Sequence, residues 1–245
     1  MEEKKQIERV LLEGFRNFYP EFPKGKPVPS ESPDFIIRTE SNHYLGIELT
    51  RLHPEKALLP SPGELLRIKL EEEVVERAAG VFSFSEGSPL FVKYLFSNAD
   101  TINPERALSV SAQSVQLIRK EVGQQKDRSF RSHLLSGPSL PSGIESILVL
   151  RHPSLTVPVW ERANNLGISD DIVNDIRFSI QKKDAKLSLY HKRKLHLYWL
   201  LVITDRLRGI SSFSIEEKIR NHEFSSRFQH VFLYELMRER VFRLV

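Results

Sequence analysis

Two short apolar segments, at 34–40 and 44–50, are separated only by Ser41-Asn42-His43, and they constrain the fold more than any other part of this sequence. Strand-like segments joined by a short polar loop predict a β-hairpin. Alternation along the second strand gives one face with Leu45, Ile47 and Leu49, and another with Gly46, Glu48 and Thr50. If the turn is centred near residues 41–42, antiparallel register places Asp34 opposite residue 48 or 49.

The predicted hairpin brings two carboxylates together. Glu48 lies close to an apolar strand face, which is unusual because an unpaired buried carboxylate is costly. Cross-strand neighbours lie about 4.5–5.5 Å apart at Cβ, so Asp34 and Glu48 could share one cation. Oxygen ligands of this kind favour Mg²⁺ or Mn²⁺. Such an ion can generate hydroxide from water and stabilise a pentavalent phosphate.

Helices and strands alternate along the rest of the chain. Apolar residues at helical spacing and capping signals predict helices over 5–18, 62–80, 103–123, 170–190 and 215–222. Apolar segments predict strands over 90–96, 145–151, 196–203 and 228–234, with 196–203 at the sheet centre. Because the chain opens with a hairpin, we expect an α/β fold with a mixed central sheet and helices on both faces. The length fits one domain over 1–245, with a polar, mobile loop at 124–143.

Composition excludes several classes of site. The chain has no cysteine, so a disulfide framework, a zinc-thiolate site, an iron–sulfur cluster and a cysteine nucleophile are excluded. The sequence contains no H-E-x-x-H pair, no G-x-S-x-G, no Walker-type loop and no G-x-G-x-x-G. It also lacks an apolar run long enough to span a bilayer and the apolar stretch of a signal peptide, which predicts a cytoplasmic protein without a membrane partner.

Positive charge is concentrated late in the chain. Residues 181–210 hold eight Lys/Arg against two Asp/Glu, whereas residues 1–80 hold 12 Lys/Arg against 15 Asp/Glu. A basic segment together with an acidic one is typical of a protein that binds both a polyanion and a divalent cation. The candidate phosphate contacts are Lys182, Lys186, Lys192, Arg193 and Lys194. The alternative is a solvated face without a partner.

The hairpin also carries a resemblance. Pro33-Asp34-Phe35-Ile36-Ile37 followed by Gly46-Ile47-Glu48-Leu49-Thr50 resembles the core motif of the PD-(D/E)XK nuclease superfamily, over roughly residues 5–50. The resemblance implies a restriction-endonuclease-like core and magnesium-dependent hydrolysis of DNA, with RNA also open. The implied metal ligands are Asp34, Glu48 and the Leu49 carbonyl, and Glu8 on the preceding helix joins the site. Restriction-type enzymes often act as dimers, so a homodimer is also open.

The sequence departs from the family pattern at one position. Thr50 stands where the family has a lysine that helps to position or activate the attacking water. We expect Lys183 to replace it, because Lys183 falls in the middle of an apolar helix face formed by Ile172, Val173, Ile176, Ile180, Leu187 and Tyr190. The alternative is that the Lys183 stem packs while its ammonium extends to solvent. Lys69 and Lys93 are weaker substitutes.

Other functions fit the same residues. The missing motif lysine favours a catalytically inactive nucleic-acid-binding or regulatory module on a degenerate nuclease fold. An interaction protein in a larger assembly is a third hypothesis, which metal binding would separate from the first. In a purely structural hairpin, Asp34 caps a turn and Glu48 pairs with Arg38 or Arg51.

Overall fold

The computed structural model describes most of the chain, namely residues 3–52, 60–83, 89–123, 129–163, 171–187, 195–207 and 212–245. Its helices are α1 (Glu3–Phe18), α2 (Pro62–Ser83), α3 (Ala107–Gly123), α4 (Ile172–Asp184) and α5 (Ser212–Arg220). Its strands are β1 (Val28–Pro29), β2 (Phe35–Arg38), β3 (Tyr44–Arg51), β4 (Phe91–Phe96), β5 (Arg131–Ser136), β6 (Ile144–Arg151), β7 (Val159–Arg162), β8 (Leu197–Thr204), β9 (His230–Glu235) and β10 (Arg240–Arg243).

The chain forms two compact units. The first comprises Met1–Gly14 and Leu59–Asn164, and the second comprises Phe15–Leu58 and Asn165–Val245. Each unit has its own sheet, in the order β5-β6-β4-β7 in the first and β1-β2-β3-β8-β9-β10 in the second. The predicted α/β class with mixed sheets is therefore confirmed, but two sheets replace the one central sheet that we expected over 1–245.

The sheet of the first unit is covered by α2 and α3. Apolar side chains of both helices, among them Val74, Ala78, Val115 and Ile118, share one core cluster with Val92 and Val149 of the strands. The α2 helix begins with the predicted capping box, in which the Ser61 backbone N–H donates to Glu64 Oε2 at 2.8 Å. Inside the cluster, the hydroxyls of Tyr94 and Ser114 are hydrogen-bonded at 2.9 Å.

The sheet of the second unit is mixed. Strand β8 pairs in parallel with both β3 and β9. Strand β2 pairs antiparallel with β3 and with the edge strand β1, and β10 pairs antiparallel with β9 at the other edge. Ile176 and Ile180 of α4 pack in one cluster with Leu200 and Val202 of β8. On the opposite face, the Phe15 ring at the end of α1 lies 5.1 Å from the Phe232 ring. Helices therefore cover both faces of this sheet, and β8 is a central strand as predicted.

The predicted loop over 124–143 is wrong over Arg131–Ser136, whereas residues 137–143 form neither strand nor helix, as expected. Residues Arg131–Ser136 form β5, which pairs antiparallel with β6 from Arg131↔Arg151 to Ser136↔Ser146. Strand β5 lies at the sheet edge, and its side chains are only half-buried or exposed. Main-chain hydrogen bonds to β6 hold it in place, so its sequence needs no apolar alternation. The short strands β1, β7 and β10 were likewise not predicted.

No helix in the described parts of the chain combines the length and apolar character needed to cross a membrane.

Candidate active site

The hairpin that we predicted from the sequence forms with the expected register. Strands β2 and β3 pair antiparallel from Phe35↔Ile47 to Arg38↔Tyr44, which places Asp34, one residue before β2, opposite Glu48. Asp34 Oδ2 accepts a hydrogen bond from the Leu49 backbone N–H at 2.8 Å. Both carboxylates are buried, with Asp34 8% and Glu48 7% exposed. The hairpin therefore holds two acidic side chains next to each other under the protein surface.

Gly46 allows the hairpin to close over Pro33. A Cβ atom at Gly46 would lie 2.6 Å from Pro33 Cγ and 2.7 Å from Leu195 Cδ1. Contacts that short do not occur between real side chains, so only glycine lets both apolar groups pack against β3. Gly46 shares the strand face of Glu48, and the close packing beside it fixes the chain just before the acidic residue.

Helix α4 lies on the same side of the sheet as Glu48. In the parallel register Glu48 pairs with Leu200 and Thr50 with Val202, and these two β8 residues belong to the cluster that contains the apolar face of α4. Since paired residues of neighbouring strands point to the same face, Glu48 and Thr50 also face the helix.

Polar contacts fix α4 near both ends. Asp171 is the N-cap, and its Oδ1 accepts from the Asn174 N–H at 3.2 Å. At the other end, Asp184 Oδ1 accepts from the Ser226 hydroxyl at 2.8 Å and from the Arg227 N–H at 3.1 Å. The cap that we expected at Ser169 and Asp170 lies outside the described residues. The helix is thus fixed in position along the sheet, and with it the side chains of its last two turns.

Lys183 reaches the hairpin from α4. Its Nζ donates to Glu48 Oε1 at 2.6 Å and to the Leu49 carbonyl at 3.2 Å. The Lys183 side chain is 16% exposed, so the ammonium bonds to the hairpin and does not extend into solvent. The ammonium is thereby in contact with two of the three groups that the resemblance implies as metal ligands.

Three oxygen-bearing groups of the hairpin lie near one another, and two of them contact the Lys183 ammonium. Asp34 and Glu48 supply carboxylates and Leu49 supplies a carbonyl, which are the ligand types that Mg²⁺ and Mn²⁺ prefer. Glu48 Oε1 and the Leu49 carbonyl already converge on a single positive group, the Lys183 ammonium. Within the described ranges, no three His, Cys, Asp or Glu side chains come together as a metal-binding group.

Three further candidates, Glu8, Lys69 and Lys93, belong to the first unit. Glu8 belongs to the first unit, where it forms ion pairs with Lys4 at 3.5 Å and Lys5 at 3.0 Å. The weaker substitutes for the motif lysine also belong to the first unit. Lys69 is exposed on α2, and Lys93 of β4 pairs with Glu161 at 3.0 Å.

A pocket of about 210 Å³ opens beside Lys183. It is lined by Thr50, Phe178, Ser179, Lys182, Lys183 and Lys186. Thr50 and Lys183 therefore border the same space. Lys182 and Lys186 were predicted phosphate contacts, whereas Lys192, Arg193 and Lys194 lie outside the described residues.

Sequence reasoning missed Ser179 and Phe178. The signal was present in the helical period, because Ser179 precedes Lys183 by four residues and Phe178 precedes Lys182 by four. The four α4 positions of the pocket therefore follow from the face on which Lys183 lies, and Lys186 comes two residues after the helix ends.

Comparison of the chain with family models, with curated proteins and with solved structures finds no match.

Proposed function

We propose that this protein hydrolyses phosphodiester bonds of DNA with the help of a divalent metal ion. One observation carries the proposal: Lys183 Nζ bonds to both Glu48 Oε1 and the Leu49 carbonyl, while Asp34 bonds to the Leu49 N–H. Burying charged groups costs free energy. Two buried carboxylates, a carbonyl and an ammonium close together therefore favour a functional role for the cluster. Cleavage of a phosphodiester, which needs a cation and a proton donor next to each other, supplies one.

Each residue of the site has its own role in the proposed reaction. Asp34 and Glu48 hold the cation, together with the Leu49 carbonyl. Lys183 donates a hydrogen bond to the attacking water or to a phosphate oxygen, and its contact with Glu48 keeps the ammonium at the correct place. Thr50 on β3 has no ammonium group, and in this proposal Lys183 on α4 supplies one. Both side chains border the same pocket.

The oxygen ligands fit magnesium or manganese. Bound here, such an ion would lower the pKa of a water and offset the negative charge of the phosphate. The ammonium of Lys183 must then release either Glu48 Oε1 or the Leu49 carbonyl, since one position cannot hold two cations. Lys183 is thereby free to donate to the substrate.

The test is cleavage of supercoiled and linear DNA with Mg²⁺ or Mn²⁺. Wild type is compared with Asp34→Asn, Glu48→Gln and Lys183→Met, and a parallel series uses RNA. Glu40→Gln in the exposed turn and Lys218→Met on α5 serve as matched controls, since both change an exposed charge elsewhere in the same unit. We expect the three site variants to lose activity by at least about 100-fold and the controls to keep it. Equal activity of Glu48→Gln and wild type would overturn the proposal.

A catalytically inactive nucleic-acid-binding module is the second candidate, and a specific observation favours it. The Lys183 ammonium already compensates the charge of Glu48 without any metal. If the Lys183 ammonium permanently occupies the cation position, wild type will bind neither Mn²⁺ nor Mg²⁺ in calorimetry, and Lys183→Met will gain Mn²⁺ binding. If the site is an enzyme, wild type will bind Mn²⁺ and Glu48→Gln will not.

A further inference from the structure

The pocket beside Lys183 has the composition of an anion site. Of the described residues that line it, three are lysines, two carry hydroxyls, one is an aromatic ring, and none is acidic. Its volume of about 210 Å³ is many times the roughly 10–15 Å³ that one water needs. A group larger than water therefore fits.

The three lysines differ in their partners. Lys183 is paired with Glu48, so its charge is largely compensated. Lys182 and Lys186 are exposed, and among the described residues no carboxylate lies within ion-pair distance of either. The negative end of the α4 dipole favours lysines in a last turn, but it does not require two ammonium groups at the rim of one pocket. Two positive charges are thus available to a ligand.

Ser179 gives an independent indication. Its side chain is buried, 4% exposed, and its Oγ has no hydrogen-bond partner within the described parts of the chain. A buried hydroxyl without a partner costs free energy, and Ser179 lines the pocket. A ligand with acceptor oxygens in the pocket would satisfy it.

We propose that this pocket binds the terminal phosphate monoester of a nucleic-acid strand. The proposal rests on the proposed function, which supplies the strand. A monoester carries nearly two negative charges at neutral pH, because its second pKa is about 6, and it has three terminal acceptor oxygens. Two ammonium groups and one hydroxyl match that charge and those acceptors. A phosphodiester within a strand has one charge and two terminal oxygens, which leaves part of the pocket unsatisfied.

The consequence is a preference for strand ends. Because Lys183 borders the pocket and also contacts Glu48, a bound terminal phosphate lies next to the proposed hydrolytic site. On linear DNA, cleavage then begins preferentially within a few nucleotides of a phosphorylated end.

The test is a binding measurement in EDTA, where no metal-dependent cleavage occurs. Fluorescence anisotropy compares three single-stranded oligonucleotides of one sequence, with a 5′-phosphate, with a 3′-phosphate, or with hydroxyls at both ends. We expect one of the phosphorylated strands to bind roughly tenfold more tightly than the unphosphorylated strand, as for about one charge-assisted hydrogen bond. Ser179→Ala and the double variant Lys182→Gln/Lys186→Gln should lose this preference, and Lys218→Gln should keep it.

Each result of the binding assay that contradicts the expectation identifies which proposal fails. Equal binding of all three strands, or a preference that survives in Ser179→Ala and the double variant, overturns the pocket proposal and leaves the hydrolysis proposal to its own assay. Failure of every strand to bind also overturns the pocket proposal, and the hydrolysis proposal is decided by its own metal-dependent assay. A 5′- or 3′-mononucleotide that competes as strongly as the phosphorylated strand overturns the strand end as the source and assigns the pocket to free nucleotides.

Discussion

Lys183 Nζ lies 2.6 Å from Glu48 Oε1, although the two residues are 135 positions apart in the chain. The pair joins the hairpin to α4, and both side chains are largely removed from solvent, at 16% and 9% exposure. Removing either partner leaves the other charge without its counterpart in a poorly hydrated place, which is why such pairs respond strongly to single substitutions.

A double-mutant cycle on this pair should show strong coupling. We expect Lys183→Met and Glu48→Gln each to lower the free energy of unfolding by about 1–3 kcal/mol, and the double variant to lose less than the sum. The expected coupling energy is about 0.5–3 kcal/mol. Urea unfolding at neutral pH measures all four proteins, with Lys218→Met as the exposed lysine control. Additive effects would mean that the contact does not contribute to stability.

Substitutions of Asp34 separate its structural role from its proposed metal role. Asp34→Ala removes the acceptor of the Leu49 N–H and leaves a buried donor without its partner, so we expect a loss of about 1–3 kcal/mol in unfolding free energy. Asp34→Asn can keep an acceptor oxygen there and should lose less. Both variants should lose Mn²⁺ binding and DNA cleavage, because an amide is a poor replacement for a carboxylate ligand. If Asp34→Asn cleaves DNA as wild type does, Asp34 serves the hairpin alone.

Substitution of Gly46 should destabilise the hairpin by overpacking. A methyl group at this position meets the rigid ring of Pro33 and the end of Leu195 below 3 Å. We expect Gly46→Ala to cost about 1–3 kcal/mol. Gly80→Ala on α2 is the matched control, since its new methyl group has nothing within 4 Å, and it should be neutral or stabilise by about 0.5–1 kcal/mol. Thermal unfolding of both variants measures the difference, and equal effects would contradict the packing argument.

The hairpin and the inward position of Lys183 could be predicted because both depend on local periodicity. The alternation in β3 and a short loop determine which residue faces Asp34, and the observed register agrees. The helical period puts Lys183 on the apolar side of α4, and a lysine there must find a buried partner. Neither inference needed the positions of distant elements beyond the packing of one helix on one sheet.

The missed features depend on pairing between distant segments. Strand β5 is a polar edge strand whose stability comes from main-chain bonds to β6, so its residues carry no strand pattern. The division into two sheets depends on which strands pair, and short apolar segments do not encode their partners. The place of Glu8 in the site was implied by the resemblance, and it stays a prediction.

Burial of Glu235 should make stability depend on pH. Glu235 ends β9 with no exposed surface, and its Oε1 accepts from the Leu207 N–H at 2.9 Å. Burial raises the pKa of Glu235 above its ordinary value of 4.5, against the opposing effects of the Leu207 hydrogen bond and of nearby arginines. The folded protein therefore keeps the proton to higher pH than the unfolded chain does. The contribution of this carboxyl to stability is full below pH 4.5 and falls as pH rises through the folded pKa.

Glu235→Gln should remove that dependence, because an amide does not titrate and can still accept from Leu207. We expect the difference in unfolding free energy, variant minus wild type, to become more positive from pH 4 to pH 8. Urea unfolding at pH 4, 6 and 8 measures it. Glu217→Gln, which changes an exposed carboxylate on α5, is the control and should give a difference that stays nearly constant. A flat difference for Glu235→Gln would mean that folding leaves the pKa of Glu235 unchanged, and a difference that becomes more negative with rising pH would mean that the folded protein stabilises the carboxylate. Either result contradicts the prediction.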